Sequence, residues 1–246
     1  MAHCNYWQTL CHELWRDPVT YAHRMTDQLR GTRWITRIDD VTVTLGFDDG
    51  AAFGISGCNA YRSRYVADED ALLVPGPTIG TLMMCDPERM EVERRFLAVL
   101  DAVRSTSAGA GTLTLHDASG AALLTMRAPG KDDLMGAWSI TSVHVPERDA
   151  VVGTDDGLDV EVTDETISGD TGCNRFHGPF RVEGQTMSIG PLATTRRAGT
   201  PDEMEQERAI LAAFASVTGW HLASDRIDLL RADGGIALVL TRAPAT

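Results

Sequence analysis

A cysteine in a repeated tripeptide is the residue of this sequence best suited to covalent chemistry. Gly57-Cys58-Asn59 recurs 115 residues later as Gly172-Cys173-Asn174. A thiol between a strand and a turn, with a histidine beside it, is the arrangement of a cysteine nucleophile. A catalytic base should keep its place relative to the cysteine, so the histidines test whether the tripeptide is catalytic.

No histidine keeps a common offset between the two copies. His116 and His221 are 105 residues apart, and the counterpart of His177 falls near Tyr61 or Arg62. A structural role is therefore favoured: the glycine allows a tight turn or a positive φ, the cysteine is a small buried hydrophobic residue, and the asparagine bonds local backbone at a bulge. We predict no catalytic residue.

Metal-ligating atoms are concentrated near the N-terminus, in His3, Cys4, Cys11 and His12. In a helix, Cys4 and Cys11 would lie about 10 Å apart along the axis, too far to share one zinc ion. A helix is indicated by apolar residues at helical spacing, which are Trp7, Leu10, Cys11, Leu14 and Trp15. We predict a helical N-terminal extension over residues 1–30 that packs on a barrel or holds a partner helix, with no metal and no other cofactor.

Acidic residues recur at the start of two predicted helices: Glu88, Glu91 and Glu93, then Glu203, Glu205 and Glu207. Paired carboxylates can transfer protons or bind metals. Near a helix N-terminus they also interact favourably with the helix dipole while facing water. We therefore predict a solvated face at both positions.

Two arginines in the second copy could bind an anion. Guanidinium groups suit carboxylates and phosphates, but Met83 and Met84 hold the place that corresponds to Arg196 and Arg197. If this position binds a ligand, only one copy binds it.

The tripeptide belongs to a longer internal repeat. Residues 90–94 recur at 204–208, and residues 127–129 recur at 242–244. Trp34 and Trp138 open the copies but are only 104 residues apart, so the second copy has about eleven extra residues, which we place in a loop between residues 145 and 157. We predict two domains, at 31–128 and 134–243, joined by an exposed polar linker at 129–133.

Both copies have the same predicted elements. Alternating residues at 41–45 and 158–162 lead through acidic turns into a second strand, which indicates a hairpin. Short strands follow at 72–74 and 186–189, and closing hairpins at 112–126 and 227–240. Each copy has one helix, capped by Asp86 or by Thr200, which forms a capping box with Glu203. The predicted apolar faces are Met90, Phe96, Leu97, Leu100 and Val103, matched by Met204, Ile210, Leu211, Phe214 and Val217.

This order of residues resembles the META domain, also called HslJ-like. The pattern is an opening tryptophan, a hairpin into Gly-Cys-Asn, a threonine-rich strand ending in cysteine, an acidic helix and a closing hairpin. The first copy matches with Trp34, residues 57–59 and a strand ending at Cys85, whereas residues 194–198 of the second lack the final cysteine. The resemblance implies a mainly β fold: two tandem small lipocalin-like β-barrels, each with one packed amphipathic helix.

The resemblance also implies a link to bacterial stress response, antibiotic tolerance or the cell envelope. Many relatives carry an export or lipid-anchor signal, whereas here polar residues such as His3, Asn5 and Gln8 stand where a signal peptide needs an apolar run. We therefore expect a cytoplasmic protein. The family pattern further implies a disulfide between Cys58 and Cys85 under oxidation, if they occupy neighbouring strands, with Cys173 lacking a partner in its own repeat.

Composition and charge exclude two classes of partner. The net charge of −13 leaves no basic surface for nucleic acid. Apolar runs such as residues 236–240 are strand-sized, far below the ~20 residues that a bilayer requires, so no integral membrane segment is predicted. The partner is an unidentified protein or small molecule.

Three functional hypotheses follow from the sequence. The first is a non-enzymatic, stress-associated protein that binds a protein or a small ligand. The second is a lipocalin-like carrier of a small apolar ligand inside a barrel, and the third and weakest is a thiol-dependent enzyme. Bulky apolar residues in the predicted strands favour filled barrels over an internal cavity.

Overall fold

The computed structural model describes residues 29–68, 71–74, 77–145 and 150–243, without the side chains of residues 68, 73 and 155–157. The chain divides into two compact units, Met1–Ala128 and Pro129–Thr246. Each unit has its own hydrophobic core. The predicted N-terminal helix and its candidate metal ligands lie outside the described residues, except that Leu29 is buried in the first core.

Short antiparallel strands form the described part of the first unit. They are β1 (Arg33–Ile38), β2 (Val41–Asp48), β3 (Ala51–Ile55), β4 (Ala60–Arg64), β5 (Val66–Asp68), β6 (Ala71–Leu73), β7 (Ile79–Gly80), β8 (Ser105–Gly109), β9 (Thr112–His116) and β10 (Ala122–Arg127), with helix α1 (Pro87–Ala102) between β7 and β8. Neighbours follow the order β5-β6-β8-β9-β10-β1-β2-β3-β4-β7. The hairpins predicted at 41–56 and 112–126 are present as β2 with β3 and β9 with β10.

The second unit repeats this plan. Its strands are β11 (Gly136–Val145), β12 (Ala150–Val162), β13 (Thr166–Asp170), β14 (Arg175–Glu183), β15 (Thr186–Ile189), β16 (Ala193–Thr194), β17 (Val217–Ala223), β18 (Arg226–Arg231) and β19 (Ile236–Arg242), with helix α2 (Pro201–Ala215) between β16 and β17. Their order is β13-β12-β11-β19-β18-β17-β15-β14-β16.

Both sheets curl into small barrels. In the second unit β14 pairs with β13 through residues 175–179 and with β15 through residues 180–183, which closes the ring. In the first unit Tyr65 divides the corresponding chain into β4, which pairs with β3, and β5, which pairs with β6. The predicted fold is confirmed: mainly β, with two tandem barrels and one helix packed on each.

Large side chains fill the barrel interiors. The alternation predicted in β2 buries Val43, Leu45 and Phe47, while β1 is held in register by Trp34 opposite Leu45. Trp138 and Trp220 are among the largest fully buried side chains of the second unit. Among the described residues, large apolar side chains thus occupy the core of each barrel.

Both helices begin where the sequence predicts. The Asp86 carboxylate accepts from the backbone N–H of Arg89 at 2.9 Å, and Thr200 and Glu203 form the capping box. The predicted apolar faces were wrong at their first members, because Met90 and Met204 are exposed. Met90 is six residues before Phe96, and Met204 is six residues before Ile210. At 3.6 residues per turn, six residues place each methionine about 120° around the helix axis from the core-facing residue.

The two segments that interrupt the repeat are more ordered than the sequence suggested. The loop expected between residues 145 and 157 is replaced in its described part, residues 150–157, by an extension of β12 along β11, with Val145 paired to Ala150. The expected linker belongs to the second unit, where Lys131–Leu134 forms a 3-10 turn. Within residues 129–133 only Asp132 is exposed, since Lys131 pairs with Asp164 at 2.6 Å and the carboxylate of Asp133 accepts from Gly130 N–H.

Candidate functional site

The Gly-Cys-Asn turn of each barrel lies directly against the helix. Gly57 has a φ of +122°, and a Cβ built there would lie 3.1 Å from the carbonyl oxygen of Arg89. Gly172 has a φ of +90°, and a Cβ there would lie 2.7 Å from Nε2 of Gln206. At Gly57 only glycine combines this backbone conformation with so close an approach to a backbone oxygen. At Gly172 the positive φ is the main requirement, because Nε2 of Gln206 is the mobile end of a side chain.

The Asn59 side chain joins this turn to the segment between β7 and α1. Its Oδ1 accepts from the hydroxyl of Thr81 at 2.8 Å and from the backbone N–H of Met83 at 2.7 Å. Its Nδ2 donates to the carboxylate of Glu93 at 3.1 Å. The expectation that this asparagine bonds local backbone was wrong for its side chain, because these partners lie more than twenty residues away.

The second copy repeats the same network. Asn174 Oδ1 accepts from Thr195 Oγ1 and from the backbone N–H of Arg197, both at 2.7 Å. Its Nδ2 donates to Glu207 Oε2 at 2.8 Å and to the carbonyl of Arg197 at 3.2 Å. Two copies with different surface residues thus keep one internal arrangement of hydrogen bonds.

Glu93 and Glu207 do not belong to a solvated face, which corrects the sequence prediction for these two residues. Glu93 accepts from Ser56 Oγ at 2.7 Å and from Asn59 N–H at 2.8 Å, and Glu207 is buried and accepts from Thr171 Oγ1 at 3.0 Å. Desolvation raises the pKa of Glu93, but the hydrogen bonds from Ser56 and Asn59 outweigh it and hold the pKa below its ordinary value. Each carboxylate thus connects its helix to the Gly-Cys-Asn turn through hydrogen bonds.

The cysteines differ between the copies. Cys58 and Cys85 form a disulfide with a Cα separation of 5.9 Å, although Cys58 lies in a turn and Cys85 precedes α1, so neither is in a strand. Cys173 is a free, buried cysteine. Burial and the nearby carboxylates of Glu207 and Glu203 raise the pKa of this thiol, which opposes formation of a reactive thiolate.

The Asn59 network and the disulfide hold an exposed apolar segment, residues 79–84, which we call the apolar loop. Leu82 is 99% exposed, Met84 92% and Ile79 73%, and Met83 is also exposed. The loop begins with strand β7, in which Ile79 pairs with Arg62 of β4. Its counterpart, residues 193–198, carries alanines, threonines and the exposed Arg196 and Arg197.

The opening tryptophans are buried, one in each barrel. Trp34 is buried and its indole N–H donates to Thr32 Oγ1 at 2.9 Å. Trp138 is fully buried, donates to the carbonyl of Leu134 at 2.7 Å and lies beneath the guanidinium of Arg242, 3.8 Å from the ring centroid. These two residues are core anchors.

Several members of the network were missed by sequence reasoning. Ser56 and Thr171 share the offset of the tripeptide, while Thr81 and Thr195 share the offset of the helices. Conserved spacing between hydroxyl and carboxyl residues in the two copies was the signal that could have found them. A repeated polar residue with a different surface around it indicates a shared internal partner.

Two further kinds of site are absent from the described residues. No group of three or more His, Cys, Asp or Glu residues there is arranged to hold a metal ion. No helix among those residues is both long and apolar enough to span a membrane.

Comparison with known proteins identified a family and several solved structures. A family model described as the META domain matches residues 24–130 and 132–244. An NMR structure of a protein from Burkholderia xenovorans is 20% identical over 45% of this chain and 83% of that one, with a TM-score of 0.37. A crystal structure of a DUF4847 family protein from Bacteroides vulgatus is 12% identical over 48% and 100% of the two chains, with a TM-score of 0.35. No curated protein matched.

Proposed function

Because the chain belongs to the META-domain family through two tandem copies, we propose that it is a non-enzymatic, stress-associated binding protein. Its first domain binds an apolar segment of a partner protein at the apolar loop, whereas the corresponding residues 193–198 of the second domain carry two exposed arginines instead. The stress association comes from the family resemblance, whereas the binding mode comes from the geometry of the loop.

The observation that carries this proposal is an apolar segment that is exposed yet held in place. Leu82, Met83 and Met84 are contiguous and exposed, which differs from the scattered apolar residues of ordinary surfaces. The disulfide at Cys85 holds one end of the segment, and Asn59 holds Thr81 at the other end and the backbone of Met83 between them. Preorganisation lowers the entropy lost on binding, and methionine side chains adapt to varied apolar partners.

Charge favours a protein over a lipid surface as the occupant. Residues 79–84 contain no charged side chain, while the chain as a whole carries a net charge of −13. Anionic lipid headgroups would repel such a chain. An apolar peptide segment faces no comparable repulsion.

The packed barrels favour surface binding over a carrier with an internal ligand. Phe47 and Phe96 fill the first interior, and Trp138 and Phe214 the second. The thiol-enzyme hypothesis is also less favoured, because Cys58 has no free thiol while it is bonded to Cys85. Neither alternative accounts for the exposed loop.

Short immobilised peptides, graded from apolar to charged, test the proposal. The wild-type protein should bind the apolar peptides, and the combined variant Leu82→Ser, Met83→Ser and Met84→Ser should weaken this binding at least about tenfold, as loss of a binding hot spot does. The matched control is Val66→Ser, which removes an exposed apolar side chain elsewhere in the first domain. Its binding should equal that of the wild type.

Two results would overturn the binding proposal. One is equal peptide binding by the triple variant and the wild type, and the other is binding to phosphatidylcholine vesicles without binding to any peptide. The stress association has its own test, which is the amount of the protein before and after heat shock. An unchanged amount after heat shock would contradict the stress association but not the binding proposal.

A further inference from the structure

A row of side chains crosses the outer face of the first barrel and ends at the apolar loop. The register of β1, β2, β3, β4 and β7 places the following residues opposite one another in turn: Arg33, Gly46, Phe53, Arg62 and Ile79. Residues opposite each other point to the same face of a sheet, with Cβ atoms about 4.5–5.5 Å apart. In each of β1 to β4 an adjacent residue belongs to the core, so the row faces outward. We call it the arginine row.

Phe53 is the centre of this row. The guanidinium of Arg33 lies 4.6 Å from the centroid of the Phe53 ring, and that of Arg62 lies 6.0 Å from it. A Cβ built on Gly46 would lie 2.8 Å from Cδ of Arg33 and 3.1 Å from Cζ of Phe53. The glycine therefore leaves the space in which Arg33 meets the ring. Cation–π attraction holds two positive charges beside one aromatic side chain.

Of the two guanidinium groups, that of Arg62 is available to a partner. Nη1 of Arg33 donates to the backbone carbonyls of Thr32 at 3.0 Å and Phe47 at 3.3 Å. Arg62 is exposed, and within the described ranges it forms no ion pair. A carboxylate at this position would meet an unneutralised guanidinium that lies between the apolar side chains of Phe53 and Ile79.

The charge changes sign from one end of the apolar loop to the other. At one end Ile79 lies opposite Arg62. At the other end Cys85 leads into Asp86 and Glu88, which are both exposed at the start of α1. An anionic lipid surface would be attracted to the first end and repelled by the second. A peptide with a carboxylate on one side of its apolar residues matches both ends.

The second domain differs from the first in both parts of this surface. Its register forms the same row with other residues: Ala137, Glu161, Ser168, His177 and Ala193. This row contains neither an arginine nor a phenylalanine, and a glutamate stands in the place of Gly46. The arginine row and the apolar loop thus occur together in one copy and are replaced together in the other, as expected of one continuous binding surface.

We propose that the partner segment carries an aspartate or glutamate beside its apolar residues, and that Arg62 binds this carboxylate. The inference rests on the proposed function of the apolar loop and adds the chemistry and direction of the bound segment. Ile79 and Leu82 are three residues apart, which is about 10 Å along an extended chain. An extended peptide centred on Leu82 therefore reaches Arg62 with a residue about three positions from its apolar centre.

Three peptides with one apolar centre test the proposal. One has glutamate three residues before the centre, one has glutamate three residues after it, and the third has glutamine at both positions. All have acetylated and amidated ends, so a side chain supplies the only carboxylate. The wild-type protein should bind one glutamate peptide at least about threefold more tightly than the glutamine peptide, as an exposed ion pair allows, and the other no more tightly. The preference should disappear in about 1 M salt, which screens exposed charges.

Variants of Arg62 identify the group that recognises the carboxylate. Arg62→Gln should lower the affinity for the preferred glutamate peptide to that for the glutamine peptide. Arg62→Glu should transfer the preference to a peptide with lysine at the same position. The matched control is Arg37→Gln, which removes another exposed arginine of the first domain, one that pairs with Asp40 at 3.3 Å. It should keep the preference of the wild type.

The outcomes separate this inference from the proposed function. If the wild type binds all three peptides equally, or prefers both glutamate peptides to the same extent, the acidic partner is overturned while apolar binding stands. A preference that persists in folded Arg62→Gln also overturns it. Binding to no peptide overturns both proposals, and binding to phosphatidylserine vesicles in place of peptides assigns the surface to a membrane and overturns both.

Discussion

Gly199 stands directly against the sulfur of Cys173: a Cβ built on Gly199 would lie 2.6 Å from Cys173 Sγ. In the first copy the residue 114 positions earlier is Cys85, which bonds Cys58. The structural counterpart of Cys85 is therefore Gly199, not Ala198 as the sequence comparison suggested. The second domain retains half of a disulfide site.

Restoring the other half should form a second disulfide. Gly199→Cys is expected to bond Cys173 under oxidising conditions, because the two side chains would share the arrangement of Cys58 and Cys85. The bond would close the loop from residue 173 to residue 199 and add about 2–4 kcal/mol to the free energy of unfolding. The measurement is thiol titration of the unfolded protein with a thermal melt, with and without reductant. Ala198→Cys is the control, and a titratable Cys173 in oxidised Gly199→Cys would contradict the prediction.

Removing the existing disulfide should destabilise the first domain alone. Cys85→Ala removes the bond between two cysteines that are 27 residues apart in sequence. The unfolded chain then gains conformational entropy, so the free energy of unfolding should fall by about 3 kcal/mol. Calorimetry should show a lower melting transition for the first domain and an unchanged transition for the second. Reductant should shift the wild-type transition similarly and leave Cys85→Ala unaffected. A shift of both transitions would show that the units do not unfold separately.

Substitution of Gly57 should reveal the close contact between turn and helix. Gly57→Ala introduces both an unfavourable φ and a clash with the backbone of α1, so we expect a loss of roughly 2 to 4 kcal/mol of unfolding free energy. Gly50 also has a positive φ, of +72°, but a Cβ there meets nothing within 4 Å. Gly50→Ala should therefore cost only about 1 kcal/mol. Equal losses in chemical denaturation would argue against the contact.

Glu93 should make stability depend on pH in the acidic range. Its folded-state pKa lies below the ordinary value, so its contribution is complete above the unfolded pKa of about 4.3 and is lost as the pH falls through the lower folded pKa. Glu93→Gln should lower the unfolding free energy at pH 7 by about 2 kcal/mol, because hydrogen bonds to a charged group are lost. The difference from wild type should shrink at pH 3. Exposed Glu88→Gln is the control, and an equal deficit for Glu93→Gln at both pH values would contradict the assignment.

The sequence by itself determined the duplication, the hairpins, the helix caps and the family. Some of these features are local: the alternation in β2 and the capping box of Thr200 and Glu203 can be recognised within a few residues. The duplication is recognised from the constant spacing between matching tripeptides. A repeated chain also supplies its own comparison, because positions that recur in register must serve the shared fold.

Only the tertiary structure decided which polar residues meet and which apolar residues stay outside. Asn59 and Glu93 are 34 residues apart in sequence but hydrogen-bonded, because the turn after β3 packs on α1. Met90 is apolar like the residues of the core, yet its position around the helix axis exposes it to solvent. Such outcomes depend on how elements pack, since burial is a property of the assembled surfaces and not of the residue type.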